Sequence, residues 1–239
     1  MTTTTLTAGA LAGLLPVGVE CAEAFGPPPV GTLFGAEAAH IEGRSPRRQR
    51  QFTAARVLAR EALAGLGRAP GPLLPGRGGA PRWPGGVVGS ITHCEGYTAC
   101  AAAGADRQAS LGVDAEPQEP LPQGVLRLSA TAAERRRLSR LPTGPVPWDR
   151  LLFSAKEATY KAFYPLTETW TGLASIHVTL HPDGRFTARH PLHPLPHTGR
   201  WTAHRGILVT ALVLPPHTSG YEWARPAPGQ ELGSPCGSR

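Results

Sequence analysis

The most informative segment lies in the second half of the chain and reads Phe153-Ser154-Ala155-Lys156-Glu157-Ala158-Thr159-Tyr160-Lys161-Ala162-Phe163. It forms the middle of a predicted helix over residues 148–164, which ends before Pro165 because proline cannot continue the hydrogen-bond ladder. Lys156 and Lys161 are the only lysines among the 24 basic residues. A lysine ammonium is a mobile point charge, whereas arginine carries a planar fork. The segment therefore predicts a site where point charges act beside Glu157; the alternative is an exposed helix face with a Glu–Lys pair one turn apart.

The composition indicates a globular protein with an anionic partner. The chain has 239 residues, 41% of them hydrophobic, enough for one large domain or two small ones. Its formal net charge of +7 favours a phosphate ligand, an acidic protein or a nucleic acid. The four cysteines, at positions 21, 94, 100 and 236, form no CxxC pair, so no zinc site or disulfide framework is predicted. Because no stretch reaches membrane-spanning length and the start lacks the basic region of a signal peptide, we expect a cytoplasmic protein without a membrane partner.

The predicted secondary structure repeats one order of elements, a helix followed by strands. Ser45 and Pro46 are typical of a helix start and precede an apolar-striped helix over 47–64. Thr131 and Glu134 form a capping-box pattern that opens a helix ending at residue 140. Strands are predicted over residues 87–91, 97–103, 110–116, 176–180, 185–189, 199–203 and 206–214.

This order predicts an α+β fold of two pseudo-symmetric halves, each a small antiparallel sheet packed with a long helix. The active site is expected in the cleft between the halves. We divide the chain into an N-terminal half over 1–120, a C-terminal half over 121–220 and a flexible tail over 221–239. Two halves in one chain favour a monomer.

Asp114 and Glu116 lie two residues apart on a predicted strand, so both side chains point to the same face of its sheet. Two converging carboxylates without a basic neighbour repel each other, and a bound Mg²⁺ is a common remedy because it prefers oxygen ligands. Mn²⁺ can take its place. Glu157 is the candidate third carboxylate, and together with the two lysines it suits a metal-bridged pyrophosphate. The alternative is that Asp114 and Glu116 form a polar strand end that faces solvent.

His93 follows an apolar predicted strand and would stand at a sheet edge, where its imidazole could contact a phosphate. The alternative is a capped loop histidine. The later histidines, at 177, 181, 190, 193 and 197, lie among prolines and strands without an ordered ligand spacing, so no metal site is predicted there.

Four segments in this order resemble the 4′-phosphopantetheinyl transferase superfamily, and within it the larger, pseudo-dimeric class that includes the surfactin- and enterobactin-synthase activators. They are the helix segment over 47–56, the stretch from Trp83-Pro84 to Cys94, Gly112-Val113-Asp114-Ala115-Glu116, and the lysine-bearing segment over 153–161. The resemblance implies Mg²⁺-dependent transfer of the 4′-phosphopantetheine arm of coenzyme A to a serine of an apo acyl or peptidyl carrier protein, with release of adenosine 3′,5′-bisphosphate. The implied settings are polyketide, non-ribosomal peptide or siderophore biosynthesis.

The resemblance also implies a role for each matching residue. Asp114, Glu116 and Glu157 would hold Mg²⁺ with the pyrophosphate of coenzyme A. The implied catalytic residues are Glu157, which takes the proton of the carrier serine directly or through a water, and Lys161, which steadies the α-phosphate and the leaving group. The residues implied to bind coenzyme A are Arg48, Arg56, Arg77, Ser90, Thr92, His93, Asp114, Lys156 and Lys161.

The sequence departs from the class in the loop over residues 74–82. Members of the class often carry a lysine there that helps to hold a coenzyme A phosphate, and this loop has none. Arg77 or Arg82 would have to replace it. The altered loop leaves open a homologue that binds coenzyme A without transferring its arm.

The implied protein partner is an acidic carrier. Its docking face could be formed by Arg135, Arg136, Arg137 and Arg140, unless these belong to a solvated basic helix. A different class of function is a nucleic-acid-binding protein that uses the helix segment over 47–56 and binds with steep salt dependence. The aromatic content of 6% and the lack of a recognition motif weigh against it, so no nucleic-acid partner is expected.

Overall fold

A computed structural model describes residues 9–216, which form five α-helices and eight β-strands. The strands are β1 Val19–Phe25, β2 Val87–Cys94, β3 Tyr97–Gly104, β4 Ser110–Pro117, β5 His177–His181, β6 Arg185–Arg189, β7 His197–His204 and β8 Ile207–Leu214. The helices are α1 Gly35–Ile41, α2 Pro46–Gly65, α3 Val125–Ser129, α4 Ala132–Leu138 and α5 Trp148–Thr167. Two antiparallel sheets, each packed with one 20-residue helix, confirm the predicted α+β class.

The first sheet has three strands in the order β1-β3-β2, and α2 covers one of its faces. The Ser45 hydroxyl caps α2 by accepting a hydrogen bond from Arg48 N over 3.4 Å, as the sequence predicts. Leu58, Ala59, Ala62 and Leu63 lie on the buried side of α2 and pack against small side chains of β3. The alanine-rich strand lets the helix lie close to the sheet.

The second sheet has five strands in the order β4-β8-β7-β6-β5, with α5 across it. Gly112 on β4 is required here, because a Cβ at this position would lie 2.5 Å from Ala162 N of α5. The facing helix positions are small as well: Ala155, Ala158 and Ala162 are fully buried. The sequence therefore brings α5 against β4 at close range, which decides how the side chains of the two elements meet.

The two sheets meet where β4 runs beside β2 without backbone pairing. Side chains make the connection instead: Ser90 Oγ accepts a hydrogen bond from Val113 N over 3.1 Å, and Thr92 Oγ1 accepts one from Ala115 N over 3.0 Å. Behind this seam, buried side chains of β3, β4 and β8 form a shared apolar core. Residues of β2 and β4, joined by these hydrogen bonds, thus form the floor of the cleft between the halves.

Strand pairing places the boundary between the two halves earlier in the chain than the sequence predicts. The sequence places residues 1–120 in one half, but β4, at Ser110–Pro117, pairs with β8 and belongs to the second sheet. The sheets therefore divide between Gly104 and Ser110. No local sequence pattern indicates this boundary, because the pairing of β4 with β8 joins residues about a hundred positions apart.

Several predicted features have different limits in the structure. Helix α5 continues past Pro165 to Thr167, whose hydroxyl donates to Phe163 O over 3.2 Å. Cys21, Cys94 and Cys100 carry free thiols. The predicted tail over 221–239 and Cys236 lie outside the described residues. Within residues 9–216, no helix combines the length and apolar character needed to cross a membrane.

Candidate active site

A cavity of about 220 Å³ opens between the two halves. It is smaller than the roughly 300–1,000 Å³ that enclose a drug-sized ligand, so it can hold only part of an extended one. Its walls come from α2, β2, β4, α5 and the loop over 74–82, through Arg48, Gln51, Phe52, Ala55, Arg56, Gly79, Pro81, Ile91, Thr92, His93, Asp114, Ala115, Glu116 and Lys161. Cations and carboxylates therefore share one small polar space.

One face of α5 supplies the second half's polar groups. Arg150, Ser154, Glu157 and Lys161 follow one another at helical spacing, and Arg150, Ser154 and Lys161 contact the acidic side chains of β4. Ser154 Oγ donates to Asp114 Oδ2 over 2.8 Å, and Lys161 Nζ donates to Asp114 Oδ1 over 2.6 Å. The buried Asp114 carboxylate is thus held from two positions of the helix, and α5 and β4 act as one unit.

Lys161 remains charged in this setting. Burial alone would lower its pKa, but the charge of Asp114, the hydrogen bond to it and the charges of Glu157 and Glu116 raise the pKa above its usual value. The Lys161 side chain is 28% exposed and lines the cavity, so its ammonium can reach a ligand there. The structure brings together Asp114 and Lys161, two of the residues singled out by sequence.

Glu157 lies beside the cavity rather than in its lining. Burial and the nearby charge of Asp114 raise the pKa of its carboxyl to about 7, while Lys161 opposes the rise and Glu116 adds to it. A carboxyl with a pKa near neutrality can both accept and release a proton at physiological pH.

Glu116 reaches the cavity but is engaged by Arg150, a residue that the sequence analysis did not single out. Arg150 Nη1 donates to Glu116 Oε2 over 2.8 Å, and Arg150 also donates to the backbone oxygens of Glu119 and Pro120. Burial and Asp114 raise the pKa of Glu116, while Arg150 lowers it. The i, i+4, i+7, i+11 spacing from Arg150 to Lys161 was the signal that could have revealed it.

The opposite wall of the cavity is cationic. Arg56 is almost fully buried, lies over the Phe52 ring at 3.7 Å and donates from Nε to Leu73 O over 3.0 Å. Burial lowers its pKa to about 10, so the guanidinium stays charged at neutral pH. Arg48 and His93 line the same wall, and burial lowers the pKa of His93 below its usual value. This wall offers planar and ring donors suited to phosphate oxygens.

Thr92 reaches the cavity, whereas Ser90 does not. The Thr92 hydroxyl also donates to Asp114 Oδ1 over 3.4 Å, in addition to accepting from Ala115 N. Ser90 is 4% exposed, and its Oγ is engaged with Val113 N at the seam between the sheets. Ser90 therefore lies at the seam between the sheets rather than in the cavity lining.

Two other residues implied to bind coenzyme A lie away from the cavity lining. Lys156 is fully buried, and its Nζ donates to Glu134 Oε2 over 2.9 Å and to Leu173 O over 3.1 Å. It points away because a rotation of 100° per residue separates it from its neighbour Glu157. Arg77 is exposed on the loop over 74–82, where Gly79 and Pro81 rather than its own side chain line the cavity.

The carboxylates match Mg²⁺ in donor chemistry, since Asp114, Glu116 and Glu157 offer only oxygen ligands and interact with one another electrostatically. Their present contacts are with Lys161 and Arg150, however. In the part of the chain that the structure describes, no group of three or more His, Cys, Asp or Glu side chains is arranged to hold a metal ion. A bound ion would therefore require Asp114 and Glu116 to exchange at least part of these contacts.

Comparison with known proteins gives the family. Residues 36–103 match the model of the 4′-phosphopantetheinyl transferase N-terminal domain, and residues 110–213 match that of the 4′-phosphopantetheinyl transferase superfamily. The chain is 49% identical over 198 residues to the 4′-phosphopantetheinyl transferase Svp of Streptomyces mobaraensis, covering 78% of this chain and 80% of that one.

Two further relatives extend the comparison. Identity to the 4′-phosphopantetheinyl transferase PptT of Mycobacterium tuberculosis is 41% over 229 residues, covering 90% of this chain and 100% of that one. Identity to the enterobactin synthase component D of Salmonella typhimurium is 32% over 189 residues, covering 72% and 75%. Both family models meet at the division between β3 and β4 that the sheets define. The chain belongs to the 4′-phosphopantetheinyl transferase superfamily and is a 4′-phosphopantetheinyl transferase.

Proposed function

We propose that the cleft transfers the 4′-phosphopantetheine arm of coenzyme A to a serine of an apo acyl or peptidyl carrier protein. The serine oxygen attacks the β-phosphorus, the bond from that phosphorus to the bridging oxygen breaks, and adenosine 3′,5′-bisphosphate leaves. The observation that carries the proposal is the arrangement of the cavity, with Arg48, Arg56 and His93 on one wall and Asp114, Glu116 and Lys161 on the other. Such a site performs phosphoryl transfer by positioning and by neutralising charge.

Glu157 takes the serine proton in this proposal. Without a bound ion, burial and the charge of Asp114 raise the pKa of its carboxyl to about 7, and the ionised form has the basicity to accept a proton. A pKa near the working pH is the usual property of a general base. Transfer of the proton to Glu157 makes the serine oxygen nucleophilic as its bond to phosphorus forms.

Lys161 neutralises the charge that develops on the leaving phosphate. Its ammonium is held by Asp114 at the edge of the cavity and stays protonated, because the three nearby carboxylates raise its pKa. Preorganised charge of this kind lowers the barrier because it needs no rearrangement during the reaction. Arg48, Arg56 and His93 bind the nucleotide phosphates and hold coenzyme A in place.

Asp114, Glu116 and Glu157 are the residues that would hold Mg²⁺, or Mn²⁺ in its place. The ion would supply neutralisation of the pyrophosphate oxygens when bound. The proposal requires Asp114 to contact both Lys161 and the ion, and Glu116 to contact both Arg150 and the ion. Ser154 keeps Asp114 in position meanwhile through its hydrogen bond to Oδ2.

The carrier is an acidic protein in this proposal, and its docking face is formed by α4 and the residues after it up to Arg140. Arg136, Arg137 and Arg140 are exposed, whereas Arg135 is half-buried and donates to Ala130 O over 2.6 Å. Three arginines therefore present charge to a partner, which favours encounter more than final affinity.

A relative's name, enterobactin synthase component D, makes siderophore assembly one candidate setting, beside polyketide and non-ribosomal peptide synthesis. A monomeric state and a cytoplasmic location also stay predictions.

The test is incubation of the protein with coenzyme A, Mg²⁺ and a panel of apo carrier domains, read by intact mass. The expected result is a mass gain of one phosphopantetheine arm on at least one carrier, at its acceptor serine. Replacement of that serine by alanine in the carrier is the matched control and should abolish the gain. The panel should include fatty-acid, polyketide, peptide and siderophore carriers. If none of them gains mass although the coenzyme A is intact, the proposal is contradicted.

A further inference from the structure

The loop over residues 74–82 joins the two halves of the protein across the cleft. It closes on itself through backbone hydrogen bonds, from Gly76 N to Ala80 O over 2.7 Å and from Arg82 N to Leu74 O over 2.9 Å. Gly79 and Pro81 form part of the cavity wall. The shape of the cavity therefore depends on where this loop lies.

The base of the loop is fixed to the first half. Leu73 is buried, its N donates to Glu37 Oε1 over 2.8 Å, and its O accepts from Arg56 Nε over 3.0 Å. Arg56 itself lines the cavity, so one side of the loop is tied to the cationic wall. These contacts fix the base of the loop but do not involve its tip.

The tip of the loop rests on Tyr164 of α5, in the second half. Gly78 has a φ of 64°, and a Cβ built on it would lie 2.6 Å from Tyr164 Cζ. The phenol end of Tyr164 is therefore in close contact with the loop backbone. Tyr164 is half-buried, lies 5.5 Å from the ring of Tyr160 and does not line the cavity.

The glycine content of the loop makes its ordering costly, although its internal hydrogen bonds and its two prolines restrict it. Three of its residues are glycines, and glycine loses more conformational freedom on ordering than any other residue. Two of them, Gly78 and Gly79, adopt positive φ. A contact at the tip offsets part of this entropy loss.

We propose that Tyr164 is a positioning residue that holds the loop over 74–82 across the two halves and thereby sets the wall of the coenzyme A cavity. The identity of the ligand rests on the proposed function, but the contact does not. Tyr164 would act through the loop on binding of coenzyme A and not on the chemical step.

Limited trypsin digestion without any ligand tests the contact directly, because the loop carries the cleavable bonds after Arg77 and Arg82. The bond after Arg205, in the β7–β8 turn, is the internal reference. In Tyr164→Ala, initial cleavage at Arg77 relative to Arg205 should rise about tenfold, since cleavage follows local opening. Tyr164→Phe keeps the ring and should show a smaller rise. Circular dichroism confirms that each variant is folded.

Gly78→Ala and Gly79→Ala form a matched pair that does not disturb the helix. Both introduce a side chain at positive φ, but a Cβ at Gly79 meets nothing within 4 Å. Gly78→Ala should therefore increase cleavage at Arg77 by several-fold more than Gly79→Ala. In the Tyr164→Ala background the two glycine variants should have equal effects. Equal effects in the wild-type background, or unchanged cleavage in Tyr164→Ala, would overturn the proposal.

Coenzyme A binding by calorimetry and carrier modification at saturating coenzyme A give the second readout. In Tyr164→Ala the Kd for coenzyme A should rise about tenfold while kcat stays within about twofold, the pattern of lost uniform binding. Easier cleavage with an unchanged Kd would overturn the role assigned to the loop. If the wild-type protein binds no coenzyme A, the proposed function fails, and the cleavage experiment still decides whether Tyr164 holds the loop.

Discussion

Lys156 Nζ lies 2.9 Å from Glu134 Oε2, and both side chains are excluded from solvent. Glu134 also accepts from the backbone N of Thr131 and of Val178, so one carboxylate joins α4, α5 and β5. Burial opposes the charged state of both partners, and it lowers the pKa of Lys156 despite the ion pair. Of the two lysines in the chain, one thus organises the interior of the second half and the other faces the cavity.

Removing one partner of this pair should destabilise the protein strongly. Lys156→Met leaves the Glu134 carboxylate buried without its cation, which typically costs about 3–5 kcal/mol in free energy of unfolding. The double variant Lys156→Met/Glu134→Gln should cost clearly less than the sum of the two single variants, because it leaves no unpaired buried charge. Urea unfolding followed by circular dichroism measures all three. Additive losses would contradict a direct coupling.

The same variant separates a structural role of Lys156 from a ligand role. In the folded protein, Lys156→Met should change the Kd for coenzyme A by less than about threefold, whereas Arg48→Met, which removes a cation from the cavity wall, should raise it at least about tenfold. Calorimetry on both variants gives the comparison. A larger loss in Lys156→Met than in Arg48→Met would restore the role that the resemblance implied.

Replacing Lys161 should impair turnover and should also cost some stability, because the buried Asp114 carboxylate loses its cation. Lys161→Met removes the ammonium at the cavity edge, and a preorganised charge of this kind is worth roughly 10²–10³ in kcat. Lys161→Arg should rescue only part of the rate, because a planar fork cannot reproduce a point charge on Asp114 Oδ1. Carrier modification under saturating coenzyme A measures kcat. Full activity in Lys161→Arg would argue against a specific point charge.

His190 should make the stability of the protein depend on pH. It is buried and stacked on Phe163 at 4.3 Å, and burial with the charges of His193 and His197 lowers its pKa from 6.5 to about 4. Between these values the unfolded chain binds a proton that the folded protein does not, so stability is lost as pH falls from about 6.5 towards 4.

The size of this loss can be isolated with one variant. Between pH 7 and pH 5, the wild type should lose about 2 kcal/mol more free energy of unfolding than His190→Asn, in which no group titrates at this position. His177→Asn, at an exposed position, is the control and should keep the wild-type dependence. Equal pH dependence in wild type and His190→Asn would show that His190 does not stay neutral in the folded state.

Removal of divalent cations should abolish carrier modification, and Mg²⁺ or Mn²⁺ should restore it. Because Asp114 and Glu116 are engaged by Lys161 and Arg150, we expect Mn²⁺ to bind weakly alone and at least about tenfold more tightly with coenzyme A, whose phosphates complete the ligand set. Electron paramagnetic resonance of free Mn²⁺ measures both affinities. Tight Mn²⁺ binding without coenzyme A, unaffected by Asp114→Asn, would place the ion elsewhere.

Local sequence signals were sufficient for the long helices but not for every element. The Ser45 cap and the Thr131–Glu134 capping box both form as predicted, because each needs only neighbouring residues. No prediction was made for β1, whose seven residues are all half-buried and lack alternation, or for α1, whose N-cap is Phe34. These elements owe their structure to contacts with β3 and α2 that a local pattern does not contain.

The sequence identified several residues of the candidate site, but not all of the contacts between them. Asp114 and Lys161 meet as the sequence suggests, but Arg150 on Glu116 emerges only when α5 is placed against β4. The resemblance implies that Lys156 binds coenzyme A, but helical periodicity places it on a different face of α5 from its neighbour Glu157. Which face of α5 is turned to the cleft depends on Gly112 and the alanines that pack there, and therefore on the tertiary fold.

The most direct test of the account is the intact mass of an apo carrier after incubation with coenzyme A, Mg²⁺ and the Glu157→Gln variant. The variant should fold like the wild type yet transfer the phosphopantetheine arm at least about 10²-fold more slowly, because it lacks the base. Glu61→Gln, an exposed change on α2, is the matched control and should transfer at the wild-type rate. Wild-type transfer by Glu157→Gln would contradict the role assigned to this carboxylate.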